Sequence, residues 1–324
     1  MKVLFVGGSG EISLACVIQA VKHGHNVFVL NRGRNNYQLP GTVTCLQGDL
    51  TSDAPYQCLE GLTFDVVCQF YVFTPAQMTR DIAFFKEKCE QYIFVSTASA
   101  YDTADRNKPI VESLPLKNTH WPYSQAKAHC ETLLIQSPLH STIVRPSHTY
   151  RIRLPSTVVD SDHLAWRICH NKPILVHDSA KTLWTVTHAD DFASAFVTLL
   201  GNTRALRESF HITSEESHSW EHILRKVAFA LGREARLCRI DSEALIDRIP
   251  SLQGPLRGDK ANAAIFDNSK IRHFAGDWKC NVSIDDGFAR AASVTLDRLS
   301  SGYQPDVDYD RVIDELTQEA SLAS

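Results

Sequence analysis

The sequence predicts an α/β protein built on a doubly wound parallel sheet, and three features carry that expectation. The first is the opening stretch Val3-Leu4-Phe5-Val6-Gly7-Gly8-Ser9-Gly10-Glu11-Ile12-Ser13, where four apolar residues run into a glycine-rich turn and then an apolar helix face. The second is the alternation of short apolar runs with helical segments as far as Arg145. Strands joined through helices form parallel sheets covered on both faces. The third is a carboxylate, Asp49, placed directly after the third predicted strand.

With 324 residues and 44% apolar content, the chain can bury a large α/β core, alone or with a smaller partner domain. A formal charge of −4 with no long basic block argues against nucleic acid as the main ligand. Met1-Lys2 leads straight into the first strand with no signal-peptide pattern. No apolar run approaches the roughly 20 residues of a membrane span. Nine scattered cysteines with no C-x-x-C pair suit reduced core thiols better than a disulfide framework or a metal site. The expectation is a soluble cytoplasmic protein without membrane, nucleic-acid or metal partners.

Each element then follows in order. The turn Gly7-x-x-Gly10-x-x-Ser13 lets the backbone approach a pyrophosphate and aims helix N–H groups at its charge. Gly7, Gly10, Glu11 and Ile12 are therefore candidate dinucleotide contacts, and Leu14, Ala15, Val17, Ile18 and Val21 form the buried helix face. The second strand, Asn26 to Leu30, ends in Asn31-Arg32-Gly33-Arg34. At this point of a dinucleotide-binding unit an acidic residue takes the ribose 2′-hydroxyl, while a basic one accommodates a 2′-phosphate. Two guanidinium groups and no carboxylate favour NADP over NAD, with solvent-facing arginines as the plainer alternative. The third strand, Val43 to Gln47, ends at Gly48-Asp49-Leu50, where Asp49 can accept from the adenine amino group. Strand four spans Phe64 to Gln69 and precedes the aromatic run Phe70-Tyr71-Val72-Phe73. A helix over 77–89 leads to strand five, Tyr92 to Ser96, and then to Thr97-Ala98-Ser99-Ala100-Tyr101.

Pro122 marks a helix start, and Tyr123 and Lys127 stand i and i+4 on one face of that helix. Strand six is Thr142 to Arg145. From Thr149 the pattern becomes irregular. A helix over 220–231, entered from Ser217 or Ser219, ends at Gly232, and the acidic tail over 307–322 forms a short helix.

These residues together resemble an extended short-chain dehydrogenase/reductase of the NAD-dependent epimerase/dehydratase family. The matches are the glycine turn, Asp49, Thr97 four residues before Tyr101, Tyr123-x-x-x-Lys127, Arg145-x-x-x-x-Tyr150, Thr187-His188-Ala189-Asp190-Asp191 and Phe266-Asp267-Asn268-Ser269-Lys270. The resemblance implies a Rossmann-type dinucleotide-binding domain over 1–148, rejoined by 187–202, and a smaller, mainly substrate-binding domain over 149–324. It also implies a homodimer.

By the same resemblance, Tyr123 is the base that takes a sugar hydroxyl proton, Thr97 holds the reacting oxygen, and Lys127 holds the nicotinamide ribose. Lys127 is also expected to lower the Tyr123 pKa from its usual value of about 10. Ser99, His148 and Tyr150 are the expected substrate contacts. The sequence departs from the family at several points. Ala98 and Ser99 stand where 4,6-dehydratases carry Asp-Glu. His148 replaces an asparagine that grips nucleotide sugars, Arg151 replaces a glycine, and Ser13 replaces the third glycine of the turn. Glu11 replaces an aromatic or apolar residue, which makes it a candidate acid/base, with a solvent-pointing or helix-capping carboxylate as the alternative.

The function expected is oxidation of a sugar hydroxyl of a nucleotide sugar or nucleoside through a transient keto intermediate, with epimerisation or dehydration to follow. The alternatives are an NADPH-consuming reductase of a keto-sugar and a non-catalytic nucleotide sensor or RNA-associated protein.

Overall fold

The computed structural model describes residues 1–34, 38–52, 54–103, 108–177 and 181–322. The chain opens with strand β1 (Lys2–Val6), helix α1 (Glu11–Lys22), β2 (Asn26–Asn31), β3 (Thr44–Gln47), β4 (Phe64–Gln69), α2 (Pro75–Phe85), β5 (Cys89–Val95), α3 (Pro122–Ile135) and β6 (Ser141–Pro146). There follow β7 (His148–Tyr150), α4 (Ser161–Cys169), β8 (Ile174–His177), β9 (Leu183–Trp184), β10 (Val186–His188), α5 (Ala189–Phe196), β11 (Ser209–Ile212), β12 (His218–Ser219), α6 (Trp220–Ala230) and β13 (Leu237–Ile240).

The main sheet has seven strands in the order β11-β6-β5-β4-β1-β2-β3, every pair parallel. The order reverses at β1, so a crevice opens beyond the carboxyl ends of β1 and its neighbours. Alternation along each strand supplies both faces of the sheet. Val3 and Phe5 of β1 join Val66, Cys68, Ile93 and the faces of α1 and α5 in one core. Leu4 and Val6 join Val67, Phe94, Met78 and Leu134 in the other.

Local chemistry sets the boundaries. Helix α2 begins two residues before the expected Gln77 because Thr74 and Gln77 form a reciprocal cap. It ends at Phe85, so the expected helical residue Cys89 opens β5 instead. Helix α6 is capped by the Ser219 hydroxyl, and Gly232 just beyond it has φ +68°. The return to the main sheet runs further than the expected 187–202, because β11 pairs with β6 as a seventh strand.

The remaining elements surround a separate apolar cluster with Trp184, Trp220, Tyr150 and Phe288 among its members. Three short two-stranded sheets (β7 with β10, β8 with β13, β9 with β12) edge it. The C-terminal helix Val307–Leu322 is fixed by buried charge: Asp310 accepts from Arg167 and His163. Those partners hold the Asp310 carboxyl down at about 2 despite its desolvation. Among the described residues no helix is long and apolar enough to cross a membrane.

Candidate active site

The carboxyl ends of β1 to β6 enclose a cleft of about 570 Å³. Gly7 adopts φ +83° as the chain leaves β1. Gly8 lies so close to β2 that a Cβ there would meet Val29 at 2.8 Å. Close packing of this turn on the sheet brings the start of α1 to the cleft wall, with Gly7, Gly10, Glu11, Ile12 and Ser13 lining it. The Ser13 hydroxyl accepts the Gly10 N–H at 2.9 Å.

Asn31, Arg32, Arg34, Asp49 and Leu50 also line the cleft. The Asn31 side-chain carbonyl accepts the Gly33 N–H at 2.8 Å, while its buried Nδ2 has no hydrogen-bond partner. Asp49 accepts the Thr51 N–H and hydroxyl at 2.9 and 2.6 Å. These bonds, with the charges of Arg32 and Arg34, hold its carboxyl below the usual range. A buried amide donor without a partner, a glycine turn and two guanidinium groups in one cleft fit a dinucleotide with its adenosine at this end.

Helix α3 supplies Tyr123 and Lys127. Lys127 is 1% exposed and donates to the carbonyls of Val72 and Val95 at 2.8 and 2.7 Å. Burial pulls its ammonium down to about 8. Burial also pushes the Tyr123 phenol upward, partly opposed by its hydrogen bond with Thr97, while the Asp259 charge raises it further. In this arrangement the Lys127 ammonium is engaged by two backbone carbonyls, and burial dominates at the Tyr123 phenol.

A second cavity of about 320 Å³ adjoins the first, and Thr97, Tyr123, Pro146 and Ser147 line both. Ser99 lines the second, where its hydroxyl bonds to Thr97 at 2.9 Å and Ser124 at 2.7 Å. Tyr123, Thr97, Ser99 and Ser124 thus form one chain of hydroxyl groups. His148 also faces this cavity. Desolvation and the nearby Lys260 charge lower it to about 3, so its imidazole is neutral at ordinary pH.

Two expected residues are held by other contacts. Tyr150 lines neither cavity: β7 pairs it with His188, and its ring packs edge-on to His188 and Phe288 at 5.3 and 5.2 Å. The Glu11 carboxylate accepts the backbone N–H groups of Arg151, Ile152 and Arg153 at 3.0, 2.9 and 3.3 Å. It clamps the glycine turn to the loop after β7.

Trp121, Asp259 and Lys260 line the second cavity and were not singled out by the sequence. Asp259 and Lys260 belong to a π-helical turn, Leu256–Lys260. Asn118 Nδ2 ties this turn to the Ala98–Ala100 turn after β5 by donating to the carbonyls of Ser99 and Gly258, each at 2.6 Å. Gly254 and Gly258 pack so tightly on Trp121 that a Cβ would meet it at 2.3 and 2.9 Å. That glycine pair, four apart beside a prolyl turn, is the one signal the sequence offers. Among the described residues no group of three His, Cys, Asp or Glu side chains could hold a metal ion.

The profile of the NAD dependent epimerase/dehydratase family matches residues 3–212, well over half of the chain. The chain is 29% identical over 246 residues to the chloroplast stem-loop binding protein of 41 kDa b of Arabidopsis thaliana. That match covers 71% of this chain and 63% of the relative, less than two thirds of its length. It is 24% identical over 243 residues to 2′-dehydrokanamycin reductase of Streptomyces kanamyceticus, covering 72% of this chain and 67% of the relative. Among solved structures, UDP-glucuronic acid 4-epimerase from Bacillus cereus in complex with NAD superposes with a TM-score of 0.74 at 17% identity. That match covers 95% of this chain and 100% of the epimerase.

Proposed function

Because the chain belongs to the NAD-dependent epimerase/dehydratase family, we propose that it transfers hydride between a nicotinamide dinucleotide and a hydroxyl-bearing carbon of a nucleotide sugar or nucleoside, through a transient ketone. The observation that carries this reading is the position of Tyr123 and Thr97, which wall both the larger cleft and the smaller cavity. A substrate in the smaller cavity meets a proton-transferring phenol at the seam with the dinucleotide.

Gly7, Gly10 and Ile12 wall the position of the pyrophosphate, and Asn31, Arg32, Asp49 and Leu50 hold the adenosine. Arg32 and Arg34 favour a 2′-phosphate, hence NADP. When bound, the nicotinamide accepts or returns the hydride, and its positive form favours the Tyr123 phenolate. Tyr123 takes the hydroxyl proton as hydride leaves the carbon, and gives it back when hydride returns. Thr97 orients the phenol and the reacting oxygen. Lys127 exchanges a carbonyl partner for the nicotinamide ribose. Ser99 and the neutral His148 hydrogen-bond the sugar hydroxyls. The chain works as a homodimer.

A second reading, net reduction of a keto-sugar with NADPH consumed, is favoured by the Streptomyces relative, which is named as a reductase. The Arabidopsis relative is named for stem-loop binding, but a net charge of −4 gives no support for RNA as the ligand here. Incubation with nucleotide sugars and keto-sugars tests the reading: wild type converts one of them in a dinucleotide-dependent manner, and Tyr123→Phe does not. Gel-shift binding of stem-loop RNA without any dinucleotide binding would replace it.

A further inference from the structure

The mechanism leaves one charged group of the dinucleotide cleft unused, and it sits in an unfavourable place for that ligand. Glu11 is the first residue of α1, the helix whose start faces the expected pyrophosphate, and it lines the cleft. Its partners are three consecutive backbone N–H groups, of Arg151, Ile152 and Arg153. They are neutral donors, so the carboxylate is fixed in place and its negative charge is not cancelled. The clamped loop is itself anchored, because Arg298 donates to the Ile152 carbonyl at 3.2 Å and to Asp162 at 2.6 Å.

A second observation lies at the preceding residue. The Gly10 N–H, which a phosphate oxygen could otherwise take, is already accepted by the Ser13 hydroxyl. A carboxylate at a helix N-terminus partly neutralises the positive end of the helix dipole and repels a phosphate there. The start of α1 is therefore a weakened anion site whose carboxylate secures the substrate-side loop.

We propose that Glu11 acts as an electrostatic brake on dinucleotide binding, keeping the cofactor exchangeable, so that the chain uses it as a co-substrate in net reduction of a ketone. This inference rests on the dinucleotide reading of the cleft and favours its second outcome, net reduction, over the transient ketone. A redox-neutral cycle regenerates its dinucleotide and has no need to release it. Net reduction must exchange the oxidised for the reduced form at every turnover. The reaction balances as hydride from the reduced nicotinamide to the carbonyl carbon, with the Tyr123 proton passing to the oxygen. Solvent then reprotonates Tyr123.

The test is equilibrium titration of wild type and Glu11→Gln with NADPH and NADP⁺, followed by nicotinamide fluorescence and by calorimetry. Gln keeps an oxygen for the three N–H groups and loses the charge. The variant is expected to bind both forms about two- to thirtyfold more tightly, the range for a charge at a helix terminus. Its melting temperature is expected to stay close to that of wild type. Glu11→Ala also removes the charge and keeps the test readable if the Gln variant folds poorly. It is expected to melt lower, with its three N–H groups left unpaired, and still to bind NADPH no more weakly than wild type. Wild-type protein should lose any co-purified dinucleotide on dialysis. Equal or weaker binding by Glu11→Gln, or wild type that retains stoichiometric dinucleotide through dialysis, overturns the proposal. Failure of wild type to bind any dinucleotide instead overturns the reading beneath it.

Discussion

The two cavities that meet at Tyr123 are built in different ways. The larger is assembled from the carboxyl ends of consecutive strands, with the glycine turn after β1, Asn31 ending β2 and Arg32 following it, Asp49 after β3 and Thr97 after β5. The smaller gathers Trp121, His148, Asp259 and Lys260 from separate parts of the chain and ties them with side-chain bonds such as those of Asn118. A cleft made of strand ends is dictated by the topology of the sheet. A cavity made of distant pieces is dictated by packing, and is free to change with the substrate.

The largest expected effect falls on the wall the two share. Tyr123→Phe should lower turnover by about 10²- to 10⁴-fold, the usual weight of a positioned acid/base, while leaving dinucleotide affinity within about twofold. Loss of both together would show that the phenol is part of the dinucleotide site and would erase the distinction between the cavities.

Next in size is a test of how the sheet-built side is braced. The Arg145 guanidinium is buried with Glu131 at 2.6 Å and also donates to Tyr101 at 3.0 Å, joining β6 to α3. Removing one partner leaves a buried charge, so Arg145→Met should cost about 3–5 kcal/mol in denaturant unfolding. A loss below about 1 kcal/mol would show that α3, and with it Tyr123, is held by apolar packing alone.

Cofactor choice sharpens the contrast at the far end of the larger cleft. Arg32→Ala with Arg34→Ala should weaken NADPH by about tenfold relative to NADH, as expected for lost charge-assisted phosphate contacts. Competitive titration reads this directly, and an unchanged ratio would return both arginines to solvent.

The smallest effects concern acid, and the two sides should respond in opposite directions. Asp81, buried behind the sheet, accepts from Tyr56, Gln69 and Tyr92 at 2.5, 2.5 and 2.6 Å. Desolvation still raises it to about 6. Its protonated form is favoured by folding, so its contribution is fully present below pH about 4 and is lost as pH rises through about 6. His148 is lowered to about 3, so the fold favours its neutral form. Its contribution is present above pH about 6.5 and is lost as pH falls toward about 3. Unfolding measured from pH about 4 to 7 should therefore lose one slope in Asp81→Asn and the opposite slope in His148→Gln. The same slope lost in both variants would contradict these environments.

The difference between the cavities also explains what could be read from the sequence. Strands β1, β2 and β4 to β6 are legible within a few residues because largely buried apolar runs, punctuated by glycine and proline, leave few alternatives, whereas β3 is a mostly exposed edge strand. The seventh strand, Ser209–Ile212, was missed, since four residues acquire strand character only by pairing with β6. The positions of Thr97, Tyr123 and Lys127 at the cleft were legible because strand ends and helix spacing place them. Asp259 and Lys260 were not, because a π-helical turn reaches the cavity only through contacts far apart in the chain. Tyr150 and Glu11 show the converse. Both stand at motif positions, yet the pairing of β7 with β10 buries the first, and three backbone N–H groups engage the second.

The most direct test of a nicotinamide laid against Tyr123 and Lys127 is a titration of NADPH and NADH followed by nicotinamide fluorescence, with wild type beside Lys127→Met. Saturable binding to one site per chain, weakened about tenfold or more once the ammonium is gone, is the result expected from a charged hydrogen bond to the ribose. Absence of saturable binding, or binding that ignores Lys127, would contradict it and leave the cleft without its assigned ligand.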